Sequence, residues 1–176
     1  ARGIRADGGL VAAAERGAAV LAICAGYQLL GEYFPDATGA AVPGFGLIDI
    51  RTDRLPQRAV GELAADPLIP GIPRLTGYEN HGGATHLGPD AKPLARVVAG
   101  VGNGDNTEGA IAGHIVGTYL HGPGLARNPE LADMLLGWCV GSHLPTIFEP
   151  DVQALREERL RSILGDQWET PTRKRL

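Results

Sequence analysis

The chain has 176 residues, 44% of them hydrophobic and 20% charged, with a formal charge of −4. That apolar content excludes general disorder, and a single domain of this length can remove roughly 70% of its unfolded surface from water. The acidic balance argues against nucleic acid as the main ligand, because backbone binding needs a clustered basic surface. The longest apolar run, Ala18–Ala25, falls well short of the ~20 residues that span a bilayer, so no membrane insertion is expected. Two cysteines make no disulfide framework, and the default setting is a reducing cytoplasm.

Residues 1–16 read as one or two helical pieces interrupted at Gly8 and Gly9, with Gly17 placed as a helix stop. Ala18–Ile23 is continuously apolar and short, the pattern of a strand buried on both faces of a parallel sheet. Cys24 follows, then a helical spacing at Tyr27, Leu30 and Phe34; strand, sharp turn and helix are α/β grammar. A loop leads to a strand expected over Gly46–Ile50. Further strand candidates are Arg58–Leu63, Leu75–Glu79, Leu94–Ala99, Gly109–Ala112 and His114–Tyr119, the last two separated by Gly113 alone, as in a hairpin or a bent strand. Asn128 as N-cap and Pro129 at the first position open a helix striped by Leu131, Met134, Leu135 and Trp138. Asp151–Leu164 reads as a further helix capped by Asp151. The expected organisation is one domain over 1–165 and a polar tail over 166–176.

Ile23-Cys24-Ala25-Gly26-Tyr27-Gln28 is the strongest local signal. A thiol on a sharp strand-to-helix turn is exposed and strained, and free N–H groups at the helix start favour a thiolate and an oxyanion. Small residues at Ala25 and Gly26 let the backbone pass close to the sheet. A lone cysteine is more often a small buried hydrophobe; the strand–Cys–small–Gly–helix context reverses that. Cys139, in mid-helix, has no such context. A thiol nucleophile needs a base, and His121 is the best placed of the histidines, directly after a strand where α/β sites assemble. His114 reads as structural. His81 and His86 lie in an expected Gly-rich loop, 77–86, with Glu79. No zinc-type spacing supports a metal there, and the P-loop and dinucleotide patterns are absent. No metal and no cofactor is expected.

These residues resemble the class I (triad-type) glutamine amidotransferases. LAICAGYQLLG (21–31), the Gly-Phe-Gly-Leu-Ile-Asp stretch (44–49), GYENHGG (77–83), GVGNGDNTEG (100–109) and GTYLHGP (117–123) occur in the right order. The pair GYENHGG and GTYLHG is similar to the cobyric-acid-synthase-like branch and, within it, to GatD-type subunits of lipid II isoglutaminyl synthases. The resemblance implies a flavodoxin-like α/β fold with a mostly parallel sheet flanked by helices and a nucleophile elbow. It implies Cys24 as nucleophile, His121 as acid–base and the Ala25 N–H as an oxyanion donor. Gln28, Gly26, Gly82 and Gly83 would line the site for L-glutamine. A MurT-like Mur ligase subunit is the implied partner; it would use ATP and amidate D-glutamate of lipid II with the released ammonia.

Three departures stand out. His121-Gly122-Pro123 lacks the acid of a His-x-Glu pattern, as the cobyric-acid-synthase-like branch also does, which leaves a dyad; any third acid would come from elsewhere, the partner included. Ala84 replaces an arginine that some relatives carry after the paired glycines. The Gly-rich loop that supplies a second oxyanion donor has no match, so strands before Ala1 are expected to be missing from the sheet. Two other readings stay open: the amidotransferase portion of a cobyrinic or cobyric acid synthase, and a non-catalytic binding subunit on the same scaffold.

Overall fold

A computed structural model describes residues 8–145, 147 and 149–169 of the chain. In chain order the elements are α1 (Gly9–Glu15), β1 (Val20–Ile23), α2 (Ala25–Leu30), β2 (Tyr33–Pro35), β3 (Ala41–Pro43), β4 (Ile50–Pro67) and β5 (Leu75–Leu87). Then follow β6 (Ala95–Ala99), β7 (Thr107–Glu108), β8 (Ala110–Ala112), β9 (Ile115–Thr118), α3 (Gly124–Arg127), α4 (Pro129–Val140) and α5 (Pro150–Leu164). A short 3₁₀ turn spans Gly165–Gln167.

β1, β9 and β8 form a three-stranded sheet in that order, with β1 parallel to β9 and β8 antiparallel to it. Side chains alternate across it, as the pleat requires. Val20, Ala22 and Ile115 face one apolar cluster, on which α1 lays Leu10 and Ala14 and α2 lays Tyr27 and Leu30. Leu21 and Val116 face a second cluster, built with Leu131 and Leu135 of α4. Helices thus cover both faces of this sheet, which is α/β layering. A second sheet of six strands runs β3-β2-β4-β6-β7, with β5 also paired to β4.

The pairing corrects the expectation of a mostly parallel sheet. Among the described residues only β1–β9 and the short β2–β4 contact are parallel; β2–β3, β4–β5, β4–β6, β6–β7 and β8–β9 are antiparallel. The links explain this. Parallel neighbours need a crossover of about a dozen residues or more, whereas Gly113 and His114 join β8 to β9 and residues 68–74 join β4 to β5.

Several boundaries also move. β1 is not buried on both faces: Ile23 is 38% exposed, and among the described residues β1 pairs along one edge only. The helix after Cys24 stops at Leu30, and Phe34 belongs to β2, because Glu32 N–H turns to donate to the Ile50 carbonyl at 2.9 Å. The strand expected over Gly46–Ile50 begins only at Ile50. The expected loop 77–86 is strand: it lies inside β5. Its glycines and Pro56 of β4 punctuate the sequence without ending the strands. Leu55–Arg58 bulge out of register opposite Gly82, which accommodates the proline. Glu149, not Asp151, occupies the cap position of α5; Asp151 lies in its first turn. Of the expected tail, residues 166–169 are described, with the Trp168 carbonyl accepting from Arg74 at 2.8 Å, and 170–176 lie outside the described residues.

Gly117 is where the sheet admits its closest neighbour. A Cβ there would lie 1.9 Å from Tyr27 Cδ2, so the tyrosine ring rests directly on the β9 backbone. The expected close approach at Gly26 is milder, since a Cβ there would meet Ala22 Cβ at an ordinary 3.8 Å. Gly117→Ala is therefore expected to overpack the helix start against the sheet and destabilise the protein by about 1–3 kcal/mol. Urea denaturation measures this, and an unchanged midpoint would contradict the packing.

Candidate active site

Cys24 stands at the end of β1 with φ 54° and ψ −113°, a region that residues with a Cβ rarely adopt. Such a conformation costs of order 1–3 kcal/mol and persists only where its surroundings enforce it. Here the backbone is tied on both sides: Cys24 N–H donates to the Thr118 carbonyl at 2.9 Å, and the Cys24 carbonyl accepts from Gln28 N–H at 3.1 Å. The thiol is half-buried, with Sγ 4.0 Å from the Asn80 carbonyl oxygen. Ala25, Gly26 and Tyr27 open α2, so their N–H groups have no acceptor within the helix.

His121 reaches the same place from β9. The parallel register sets Ile23 opposite Thr118, so Cys24 and the segment 119–121 leave the sheet side by side. β5 closes the arrangement. His121 N–H donates to the Tyr78 carbonyl at 2.7 Å, and Asn80, two residues on, carries the carbonyl beside Cys24 Sγ. Among the described residues the His121 ring faces acceptors with Nδ1 alone, which lies 2.8 Å from the Tyr119 carbonyl and 3.2 Å from that of Tyr78. Carbonyl oxygens cannot donate, so Nδ1 carries the proton and Nε2 is the basic nitrogen. Backbone oxygens thus hold the tautomer that an adjacent acid would otherwise fix.

Beneath the pair, Gln28 Nε2 donates to the Tyr119 hydroxyl at 3.2 Å, and Tyr119 bonds Thr85 at 2.7 Å, which meets Thr52 at 3.0 Å. Burial pushes the Tyr119 hydroxyl up to about 12, so it remains a neutral link in this chain. Gly83 makes the network possible. A Cβ there would fall 2.4 Å from Gln28 Nε2 and 2.6 Å from the Tyr119 hydroxyl. Gly82 lies opposite the β4 bulge with open space around it, and Gly26 is half-buried on α2. Buried His81 stacks on Tyr119 at 3.6 Å between centroids. Its Nε2 is 3.3 Å from Glu79, whose carboxylate also accepts Val101 and Gly102 N–H. His81 and Glu79 are thus absorbed into the support of the site. Exposed His86 pairs with Asp53, and His114 stacks on Trp138. Among the described residues no three His, Cys, Asp or Glu side chains group as a metal site. Cys139 is exposed on α4.

Two residues escaped the sequence reading. Arg58, in the β4 bulge, donates to the Asn80 side chain at 2.8 Å and to its carbonyl at 3.3 Å, the same carbonyl that lies 4.0 Å from Cys24 Sγ. Ala84 of β5 lies opposite Asp53, on the other side of the bulge. Glu108 is wholly buried below the end of β9, where it accepts from Thr118 and from Tyr119 N–H. A bulge around Pro56 is readable in sequence as a demoted strand residue. An acid immediately before the apolar strand Gly109–Ala112 was the available signal for Glu108.

Among the described residues no helix is long and apolar enough to cross a membrane. Residues 3–129 match the CobB/CobQ-like glutamine amidotransferase domain. The chain is 35% identical over 159 residues to the GatD subunit of lipid II isoglutaminyl synthase (glutamine-hydrolyzing) from Staphylococcus aureus, covering 88% of this chain and 63% of that protein. It is 38% identical over 125 residues to the corresponding Streptococcus pneumoniae subunit, covering 66% of this chain and 46% of the other. It is 43% identical over 124 residues to cobyric acid synthase from Brucella canis, covering 66% and 24%. The chain therefore spans less than two thirds of the length of these relatives. A crystal structure of a glutamine amidotransferase superposes with a TM-score of 0.60 at 21% identity, covering 78% of this chain and 71% of that one, which shows the class I fold. With the matched segment holding both the cysteine elbow and His121, the chain belongs to the CobB/CobQ-like glutamine amidotransferase domain family.

Proposed function

We propose that this chain is the glutaminase part of a glutamine amidotransferase acting in the cytoplasm. The observation that carries the reading is the pairing of a left-handed cysteine elbow with a histidine whose Nδ1 is tied to carbonyls, at the ends of neighbouring parallel strands. His121 Nε2 takes the thiol proton as Cys24 Sγ attacks the side-chain carbonyl carbon of L-glutamine. The Ala25 N–H donates to the oxyanion that forms, a contact whose loss typically costs about 3 kcal/mol of transition-state stabilisation. The intermediate collapses as His121 passes its proton to the amide nitrogen, and ammonia leaves a γ-glutamyl thioester. Water, deprotonated by His121, then attacks the thioester, releases glutamate and returns the thiol. The Gln28–Tyr119–Thr85 network holds the floor of the site, with Gly83 leaving room for it, Gly82 open beside it and half-buried Gly26 on α2 above Ala22. The Arg58 guanidinium suits the α-carboxylate of the substrate.

The GatD relatives support the next step of the reading: ammonia passes to a MurT-like, ATP-dependent Mur ligase subunit that amidates D-glutamate of lipid II. The identity to a cobyric acid synthase favours a second reading, in which the acceptor is a corrinoid carboxylate. The partner that co-purifies with the native protein separates them: a Mur-type ligase supports the first, a corrinoid-bound synthetase the second. The domain is proposed to occupy residues 1–165.

In the native assembly, Cys24→Ala should reduce glutamine hydrolysis to background and His121→Ala should lower it by a factor of about 10²–10⁴. Glutamate release measures both, and hydrolysis that survives Cys24→Ala would sink the proposal. Arg58→Ala should raise KM for glutamine by roughly tenfold, as loss of a charge-assisted hydrogen bond of about 1.5 kcal/mol requires, with kcat little changed. A lower kcat at constant KM would instead place Arg58 in the chemical step.

A further inference from the structure

Glu108 is a buried acid that the proposed chemistry does not use, yet its hydrogen bonds lead to His121. Thr118 Oγ1 donates to Glu108 Oε1, and the same hydroxyl accepts from Leu120 N–H at 3.0 Å. Leu120 N–H belongs to the peptide unit whose carbonyl is that of Tyr119. That carbonyl accepts from His121 Nδ1 at 2.8 Å. The line is continuous: imidazole N–H, peptide group, threonine hydroxyl, carboxylate.

We infer that Glu108 is the remote acid of this site, a positioning residue that orients and polarises His121 through the Thr118 hydroxyl and the Tyr119–Leu120 peptide. Each donor along the line makes its neighbour a better acceptor, the cooperative strengthening expected of a buried hydrogen-bond chain. An ionised Glu108 draws on the Thr118 hydroxyl, which draws on Leu120 N–H and leaves the Tyr119 carbonyl more negative. That carbonyl stabilises the imidazolium formed when Nε2 takes a proton. A His-x-Glu pattern would do the same by direct contact; here the acid lies on the opposite side of one peptide group.

The carboxyl is built to be charged or neutral without moving. Oε1 accepts from both Thr118 and Tyr119 N–H, while buried Oε2 has no hydrogen-bond partner among the described residues. A proton can occupy Oε2 and leave both bonds at Oε1 intact. Burial pushes the Glu108 carboxyl up to about 7, with Glu79 adding to the rise and the Thr118 and Tyr119 bonds and His81 opposing it. The ionisable groups facing it are Glu79 and His81 from β5, Tyr27 from α2 and Tyr119 after β9. The support given to His121 therefore strengthens as pH rises through neutrality and fades below it.

The inference rests on the glutaminase reading for its kinetic consequence, so the test has a second readout. In the native assembly, Thr118→Val keeps the shape and removes the relay hydroxyl, Thr118→Ser restores it, and Glu108→Gln keeps an acceptor oxygen without the charge. Val and Gln should each lower kcat about fivefold, the size of one net hydrogen bond, with KM unchanged. Glu108→Gln should also flatten the rise of kcat through neutral pH, and Thr118→Ser should recover most of the rate. Independently of turnover, NMR titration of ¹⁵N-labelled histidine should place the His121 midpoint lower in Val and Gln than in wild type and Ser. Midpoints and pH profiles that do not differ among the four proteins would overturn the relay, as would a Ser variant no better than Val. If wild type does not hydrolyse glutamine, the functional reading fails, and the His121 midpoints still decide the relay.

Discussion

The site depends on one register. β1 and β9 run parallel with Ile23 opposite Thr118, and the Cys24 N–H closes the ladder on the Thr118 carbonyl at 2.9 Å. Parallel neighbours end at the same edge of a sheet, so the thiol after one and the imidazole after the other emerge together. A slip of one residue would turn Cys24 to the opposite face and separate it from His121. Tyr27 packed on Gly117 locks the helix that follows Cys24 to the strand that precedes His121. The bond Tyr78 makes to His121 fixes that segment to β5.

The rest of the machinery is mostly backbone. Carbonyls of Tyr119 and Tyr78 select the His121 tautomer, a carbonyl of Asn80 neighbours the thiol, and N–H groups at the start of α2 have no acceptor within the helix. Side chains enter one layer below, in the Gln28–Tyr119–Thr85–Thr52 chain and around Glu79, His81 and Glu108. Backbone groups move only if the strands move, so such a site is as rigid as its sheet. The same design explains how a histidine followed by Gly122 and Pro123 keeps its orientation without an acid two residues away.

Local sequence carried the elbow. A short apolar run, a cysteine and small residues before a helical spacing named Cys24 and α2, and the helix stripe of Leu131 and Leu135 lies against the second core as its periodicity required. His121 was legible as a histidine closing a strand. What the sequence could not display was long-range pairing. β4 and β5 run through Pro56, Gly82 and Gly83, residues that normally punctuate, because a bulge takes up the proline and close packing takes up the glycines. GYENHGG therefore read as a loop when it is the strand that joins the two halves of the site. Strand direction is hidden in the same way: among the described residues most pairings are antiparallel, since connection lengths decide direction while apolar runs do not. Arg58 and Glu108 meet partners 22 and 10 residues away in the chain, which no local pattern reveals.

In the proposed function Cys24 is the nucleophile of a glutamine site and His121 activates it. Treatment of the native assembly with a diazoketone analogue of glutamine, followed by intact mass and peptide mapping, tests it most directly. A single adduct on Cys24 is expected, blocked by glutamine and slowed by His121→Ala, with exposed Cys139 unmodified. Modification of Cys139 in preference to Cys24, or no adduct on Cys24 at all, would contradict it.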